Sequence, residues 1–158
     1  MATILSVCPG PPRRARLEGD DVVTRPEVAM RSTMMDVPLL VSRILTHGTT
    51  VHASSEAVTW TADGPRRTSY AEVGRTAARL AHALHDLGVT GDQRVGTFMW
   101  NNAEHLAVYL AVPSMGAVLH PVNIRLFPEQ LAYVVNHAED QVVVLDATLA
   151  PGFAKLLP

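Results

Sequence analysis

The run QVVVLD, Gln141 to Asp146, is too short for a helix and apolar at every inner position, so both faces of the strand it forms must be buried. A strand of that kind belongs in a parallel sheet with helices on each side, and parallel neighbours need long crossovers between them. The preceding sequence supplies both parts. RVGTFMW (94–100) and AVLHPV (117–122) read as strands, and NNAEHLAVYLAVPSMGA and PEQLAYVVNHA read as the helices between. From residue 69 the order is therefore helix, strand, helix, strand, helix, strand, with a last helix begun near Thr148. The fold class is α/β, parallel strands alternating with helices.

Local signals set the boundaries. Ser69 and Glu72 make a capping box, and Val73, Ala77, Leu80, Ala81, Leu84 and Leu87 form one apolar stripe that stops at Gly88. Asn101 or Asn102 caps the next helix, and Pro113, lacking an amide hydrogen, should kink or end it. Pro128 suits the first turn of the third helix. Upstream, Leu39, Leu40, Ile44 and Leu45 recur at helical spacing between Pro38 and Gly48, which predicts a helix over about 38–47. Alternation of Val58 and Trp60 with Thr59 and Thr61, then Asp63-Gly64, predicts a hairpin. A helix and a hairpin thus precede the alternating part. Residues 1–29 interleave Pro9, Pro11, Pro12 and Pro26 with charges and show no apolar period, so they are expected to be a disordered extension that buries little. Met30 is an alternative start, and residues 30–158 form the folded part.

Composition excludes several classes. The formal net charge is −2, and the thirteen Lys and Arg are scattered, leaving no basic stripe for a nucleic-acid backbone. Cys8 is the single cysteine, which rules out an intramolecular disulfide or a CxxC site, and an inert thiol is expected there. The N-terminal apolar run precedes its arginines, the reverse of a signal peptide, and no uncharged apolar run reaches the roughly 18 residues of a membrane span. A cytoplasmic protein without a transmembrane segment is expected.

The chemistry is sparse. If the three strands are parallel, Asn101, Asn102, Asn123, Arg125 and Asp146 fall along their carboxyl ends, where α/β sheets hold ligands. Asn and Asp also cap helices and form turns, the plainer reading here. Arg125 suits either a phosphate or an ion pair with Glu129 one turn on. His82 and His85 share a helix face away from the apolar stripe, with no further ligands to complete a metal site. His105 and His120 are expected to be hydrogen-bonded structural imidazoles. Neither G-x-G-x-x-G after a strand nor G-x-x-x-x-G-K-[ST] occurs. No catalytic, cofactor-binding or metal-ligating residue is identified.

Four segments carry a resemblance: STMMD (32–36), TSYAEV (68–73), LAVYLAVPSMGAVLHPVNIRL (106–126) and EQLAYVVNHAED (129–140). They closely resemble the opening of fatty-acyl-CoA synthetases of the adenylate-forming, AMP-binding superfamily, in the medium- and long-chain branch. The resemblance implies that residues 30–158 are the truncated N-terminal part of an AMP-binding domain, an incomplete N-terminal subdomain. It implies, for the complete enzyme, a ligase of lipid metabolism that adenylates a fatty acid with ATP and Mg and passes it to CoA. The family's phosphate loop and catalytic Lys match nothing in this chain, so no cofactor is expected to bind it alone and competence alone is not expected. Relatives often place Ser or Thr before the Pro of the third helix. Phe127 stands there instead, cannot accept the capping bond, and is expected to staple against Leu131. The alternative is a non-catalytic relic or an interaction module that self-associates through exposed apolar surface and an uncovered edge of QVVVLD.

Overall fold

The computed structural model describes residues 2–6, Met35 and 37–155. Its elements, in chain order, are strand β1 (Ala2–Ser6), helix α1 (Val41–Thr50), strands β2 (Glu56–Thr61) and β3 (Gly64–Ser69), helix α2 (Tyr70–Asp86), strand β4 (Arg94–Phe98), helix α3 (Ala103–Ser114), strand β5 (Val118–Pro121), helix α4 (Pro128–Ala138), strand β6 (Val142–Asp146) and helix α5 (Ala150–Ala154). The main sheet has the order β1-β6-β4-β5. β4 pairs in parallel with β5 on one side and β6 on the other. Val142 to Leu145 are fully buried, as a strand apolar on both faces requires. Each such side chain contributes about 1.5–3 kcal/mol by burial.

Two layers cover the sheet. On one face Val95, Val142 and Val144 pack with Leu84 of α2 and Val108 and Val112 of α3. On the other, Phe98, Val143 and Leu145 meet Leu131 and Val135 of α4 and Phe153 of α5. Leu45 of α1 packs beside a second interface of α2 and α3, built on Val73, Ala77, Ala107 and Ala111. Gly74 permits that approach, because a β-carbon there would overlap the Thr49 methyl.

Helix starts follow their caps. The Ser69 hydroxyl accepts from the Glu72 amide, and the Glu72 carboxylate accepts from the Ser69 amide in return. Asn102 Oδ1 accepts from the His105 amide at 2.8 Å. Pro113 ends α3 rather than kinking it: one residue follows before the Met115 C-cap, and Gly116 turns the chain at φ 86°.

Several expectations are corrected. α1 begins and ends three residues later than its sequence signals, because Gly48 lies inside the helix, with the Tyr70 ring against it, instead of stopping it. Phe127 is 70% exposed and staples nothing; Leu126 joins the Leu131 cluster instead, the residue before the cap that the staple geometry needs. Within residues 1–29, read as an extension that buries little, Ala2–Ser6 is a strand paired antiparallel with β6 from Ala2↔Asp146 to Ser6↔Val142. The outer edge of β6 is therefore covered, not bare. The rest of that extension, with Cys8 and Met30, lies outside the described residues. No helix among the described residues is long and apolar enough to cross a membrane.

Candidate functional site at the carboxyl edge of the sheet

Parallel pairing brings the ends of β4 and β6 together, and the loops after them form one polar network. Asn102 does two jobs. Its Oδ1 caps α3, and its Nδ2 donates to Asp146 Oδ2 at 3.2 Å. Asp146 Oδ1 accepts from the Thr148 amide at 3.0 Å and from its hydroxyl at 2.8 Å. Trp100 Nε1 donates in turn to Thr148 Oγ1 at 3.0 Å. Burial works to raise the Asp146 carboxyl, but the bonds from Thr148 and Asn102 outweigh it and hold the group below its ordinary range, as an anion.

Beside this network the hairpin β2–β3 leans on the start of α3. Thr59 Oγ1 accepts from the Ala103 amide at 3.0 Å, and Arg66 grips Glu104 through two bonds of 2.7 and 2.5 Å. The Arg66 bonds, set against partial burial, hold Glu104 below the ordinary carboxylate range. An open cleft of about 350 Å³ lies between, lined among others by Val58, Thr59, Asn101, Asn102, His105 and Tyr109. His105 is buried, with Nε2 3.0 Å from Thr97 Oγ1 and its ring edge-on to Tyr109. Burial lowers its imidazole below the ordinary value, against a backbone bond at Trp100 that raises it, so the ring is neutral. His120 Nδ1 lies 2.8 and 3.0 Å from the two oxygens of Asp140, elsewhere on the sheet.

Of the residues singled out along this edge, the structure joins Asn102 to Asp146 and leaves the others apart. Asn123 accepts from the Arg125 amide in a local turn at 3.0 Å, and Arg125 makes no ion pair with Glu129. His82 and His85 lie on exposed surface. The sequence reading gave Trp100, Thr148, Thr97 and Thr59 no part in a site. Asp-x-Thr at 146–148 is a legible turn signal, but nothing local marks a threonine inside an apolar strand as the partner of a distant histidine.

The arrangement orders loops and holds one carboxylate. Among the described residues no group of three or more His, Cys, Asp or Glu is placed to hold a metal ion. Asp146 already spends its oxygens on protein donors. Among the described residues this donor set does not fit ATP with its metal.

The AMP-binding enzyme family matches residues 45–157. The chain belongs to this family. Its curated relatives are acyl-CoA ligases. The 3-methylmercaptopropionyl-CoA ligase of Ruegeria lacuscaerulensis is 43% identical over 80% of this chain and 24% of its own length. The long-chain-fatty-acid–CoA ligase of Thermus thermophilus is 44% identical over 78% of this chain and 23% of its own length. The chain thus spans about a quarter of the curated relatives it matches. Among solved structures, the inhibitor-bound N-terminal domain of FACL13 from Mycobacterium tuberculosis superposes with a TM-score of 0.66 at 26% identity, covering 73% of this chain and 29% of that one. The anthranilate CoA ligase AuaEII in complex with anthranoyl-AMP gives 0.66 at 25% identity, over 78% and 24%. The parallel sheet with its two helical layers is the α/β architecture of the N-terminal domain of adenylate-forming enzymes.

Proposed function

We propose that this chain is the N-terminal segment of an ATP-dependent fatty-acid–CoA ligase and acts in it as scaffold. The observation that carries the reading is the coincidence of family match and site chemistry. Identity above 40% to acyl-CoA ligases runs through most of the chain, while its sheet edge is built of loop-ordering bonds rather than reactive groups. Fatty acids are the favoured acyl class because medium- and long-chain ligases stand among the relatives. ATP, Mg and CoA would be held by other parts of the enzyme, in the cytoplasm. Residues 30–158 are the portion that would serve, preceded by 1–29, of which Ala2–Ser6 pairs with β6.

The test is a chimera. Residues 30–158 replace the matching segment of the Thermus thermophilus ligase, and fatty-acid-dependent exchange of pyrophosphate into ATP is measured. Exchange within about tenfold of the parent, a barrier change near 1.4 kcal/mol, supports the reading. A folded chimera without exchange refutes it. The isolated chain should show no exchange above a no-protein blank, because no group among its described residues is placed to stabilise charge on a transferring phosphoryl group.

A further inference from the structure

An exposed helix face is steadied when each cation has an acid one turn away, and α2 departs from that pattern. Arg75, Arg79 and His82 are all exposed. Spaced four and three residues apart, they line up along one side of the helix over about 10 Å. This is the solvent side, since Val73, Ala77 and Leu84 carry the opposite side into the core. Arg75 and Arg79 are like charges one turn apart, which costs a helix stability. The nearest acids do not answer them. Glu72 gives its carboxylate to the Ser69 amide and hydroxyl, and Asp86 lies 4.0 Å from His85. Arg79 Nη2 reaches only the Thr76 hydroxyl, at 3.3 Å. By contrast, Arg66, Arg67 and Arg94 face Glu104, Glu56 and Glu139. Among the described residues, neither Arg75 nor Arg79 has an ion pair.

We propose that this side of α2 is a docking surface for an acidic helix of another protein, one that carries Asp or Glu at the same four-and-three spacing. Charge complementarity selects the occupant: guanidinium forks pair with carboxylates through two parallel bonds, and a helix laid alongside repeats the spacing of the stripe. The other occupants fit less well. A lipid surface needs large apolar side chains to insert beside the cations, and α2 exposes none among its residues. Two guanidinium groups and an imidazole fall short of the roughly six to ten phosphate contacts of a typical DNA binder. A second copy offers no matching acidic stripe among the described residues. Its Glu56, Glu104 and Glu139 already face arginines, and Glu129 has Ala132, Tyr133 and Asn136 where further acids would be needed. The surface does not depend on the ligase reading, because it uses none of the residues at the carboxyl edge of the sheet.

The probe is a fluorescein-labelled, alanine-based helix bearing Glu at the four-and-three spacing, and its control carries the same number of Glu spread around the helix. Binding to the full chain is followed by fluorescence anisotropy at low salt, where exposed charges are least screened. The matched helix should bind more tightly than the control. The double variant Arg75→Gln, Arg79→Gln should weaken it at least about tenfold, through loss of the charge-assisted bonds. Arg67→Gln with Arg94→Gln removes the same charge elsewhere and should leave the affinity within about twofold. Thermal unfolding checks the fold: relief of like-charge repulsion should leave the Arg75, Arg79 variant at least as stable as the parent. Should that variant not fold, Arg79→Gln alone decides, with a loss of at least about threefold expected. Equal affinity for matched and control helices overturns the proposal, as does absence of binding, or an equal loss in the Arg67, Arg94 variant. Vesicles of equal parts phosphatidylcholine and phosphatidylglycerol are tested beside the peptides. Binding to them that is tighter than to the matched helix, and lost in the Arg75, Arg79 variant, makes the partner a membrane and also overturns it.

Discussion

Replacing Gly96 by alanine should destabilise the protein although glycine is the poorer strand residue. Gly96 sits in the middle of β4, opposite His120 of β5 on one side and Val143 of β6 on the other. A β-carbon there would stand 2.9 Å from Asp140 Oδ2, 3.1 Å from Asp140 Cγ and 3.2 Å from a Val143 methyl. None of these can retreat easily. Asp140 is 3% exposed and held by His120 through both oxygens, and Val143 is fully buried between sheet and α4. Overpacking of a tight core costs about 1–3 kcal/mol. Against this, removing glycine from the unfolded chain contributes about 0.4–1 kcal/mol of stability, since the Gly96 backbone is in a region open to alanine. The net expected loss is about 1.3 kcal/mol at mid-range, or roughly 3–5 °C in Tm for a chain of this size. If the methyl group instead drives Asp140 off His120, the loss rises toward about 3–5 kcal/mol, the cost of a buried charge without its partner. Urea denaturation followed by circular dichroism measures it. In an Asp140→Ala background the oxygen is gone, so the same Gly96→Ala change should cost at least about 1 kcal/mol less. A variant within about 0.5 kcal/mol of the parent, or strict additivity in the double variant, would refute the claim that Gly96 is there to make room for the carboxylate.

Asn102→Ala removes an N-cap and the donor to Asp146 together, and should lower stability by about 1–2 kcal/mol; Asn102→Asp should restore the cap but set two carboxylates against each other, leaving it less stable than the parent. Urea midpoints at fixed slope compare the three proteins. A further prediction concerns pH. Burial raises the Asp140 carboxyl above its ordinary value of 3.8, against the lowering effect of His120. The folded state therefore favours the protonated acid, and this contribution is complete below the ordinary value and lost as pH rises through the raised one. Asp140→Asn cannot titrate, so the stability advantage of the parent over this variant should shrink as pH rises from about 3.8, and an advantage that grows over that interval would mean the carboxyl is lowered instead.

How much of this was legible in the sequence depends on the range of the interaction. QVVVLD declared its burial and its parallel pairing with β4, though not its antiparallel neighbour β1, because side-chain period and strand length are local properties. Ser69 with Glu72, Asn102, Pro128 and the turn at Asp63-Gly64 declared element boundaries for the same reason: each cap or turn is completed within three residues. Gly48 misled, since a glycine stops a helix only where the chain is free to turn, and here Tyr70 packs against it across the fold. The pairings at the sheet edge were beyond local reading. Asn102 with Asp146, Trp100 with Thr148 and Arg66 with Glu104 are separated by 44, 48 and 38 residues, and no periodicity encodes which polar groups will share a loop cluster. The room that Gly96 leaves for Asp140 is likewise a property of strand order, 44 residues apart in sequence and adjacent only because β6 crosses back over β4. Least legible was β1. Five residues beside a proline- and charge-rich stretch carry too little apolar surface to announce a strand, and it is the unpaired backbone of β6 that gives them one to join. Apart from β1, the sequence alone determined which segments become strands and helices and which family they resemble; tertiary structure decided the neighbours, because backbone edges and buried polar groups are satisfied by whatever the winding of the sheet brings within reach.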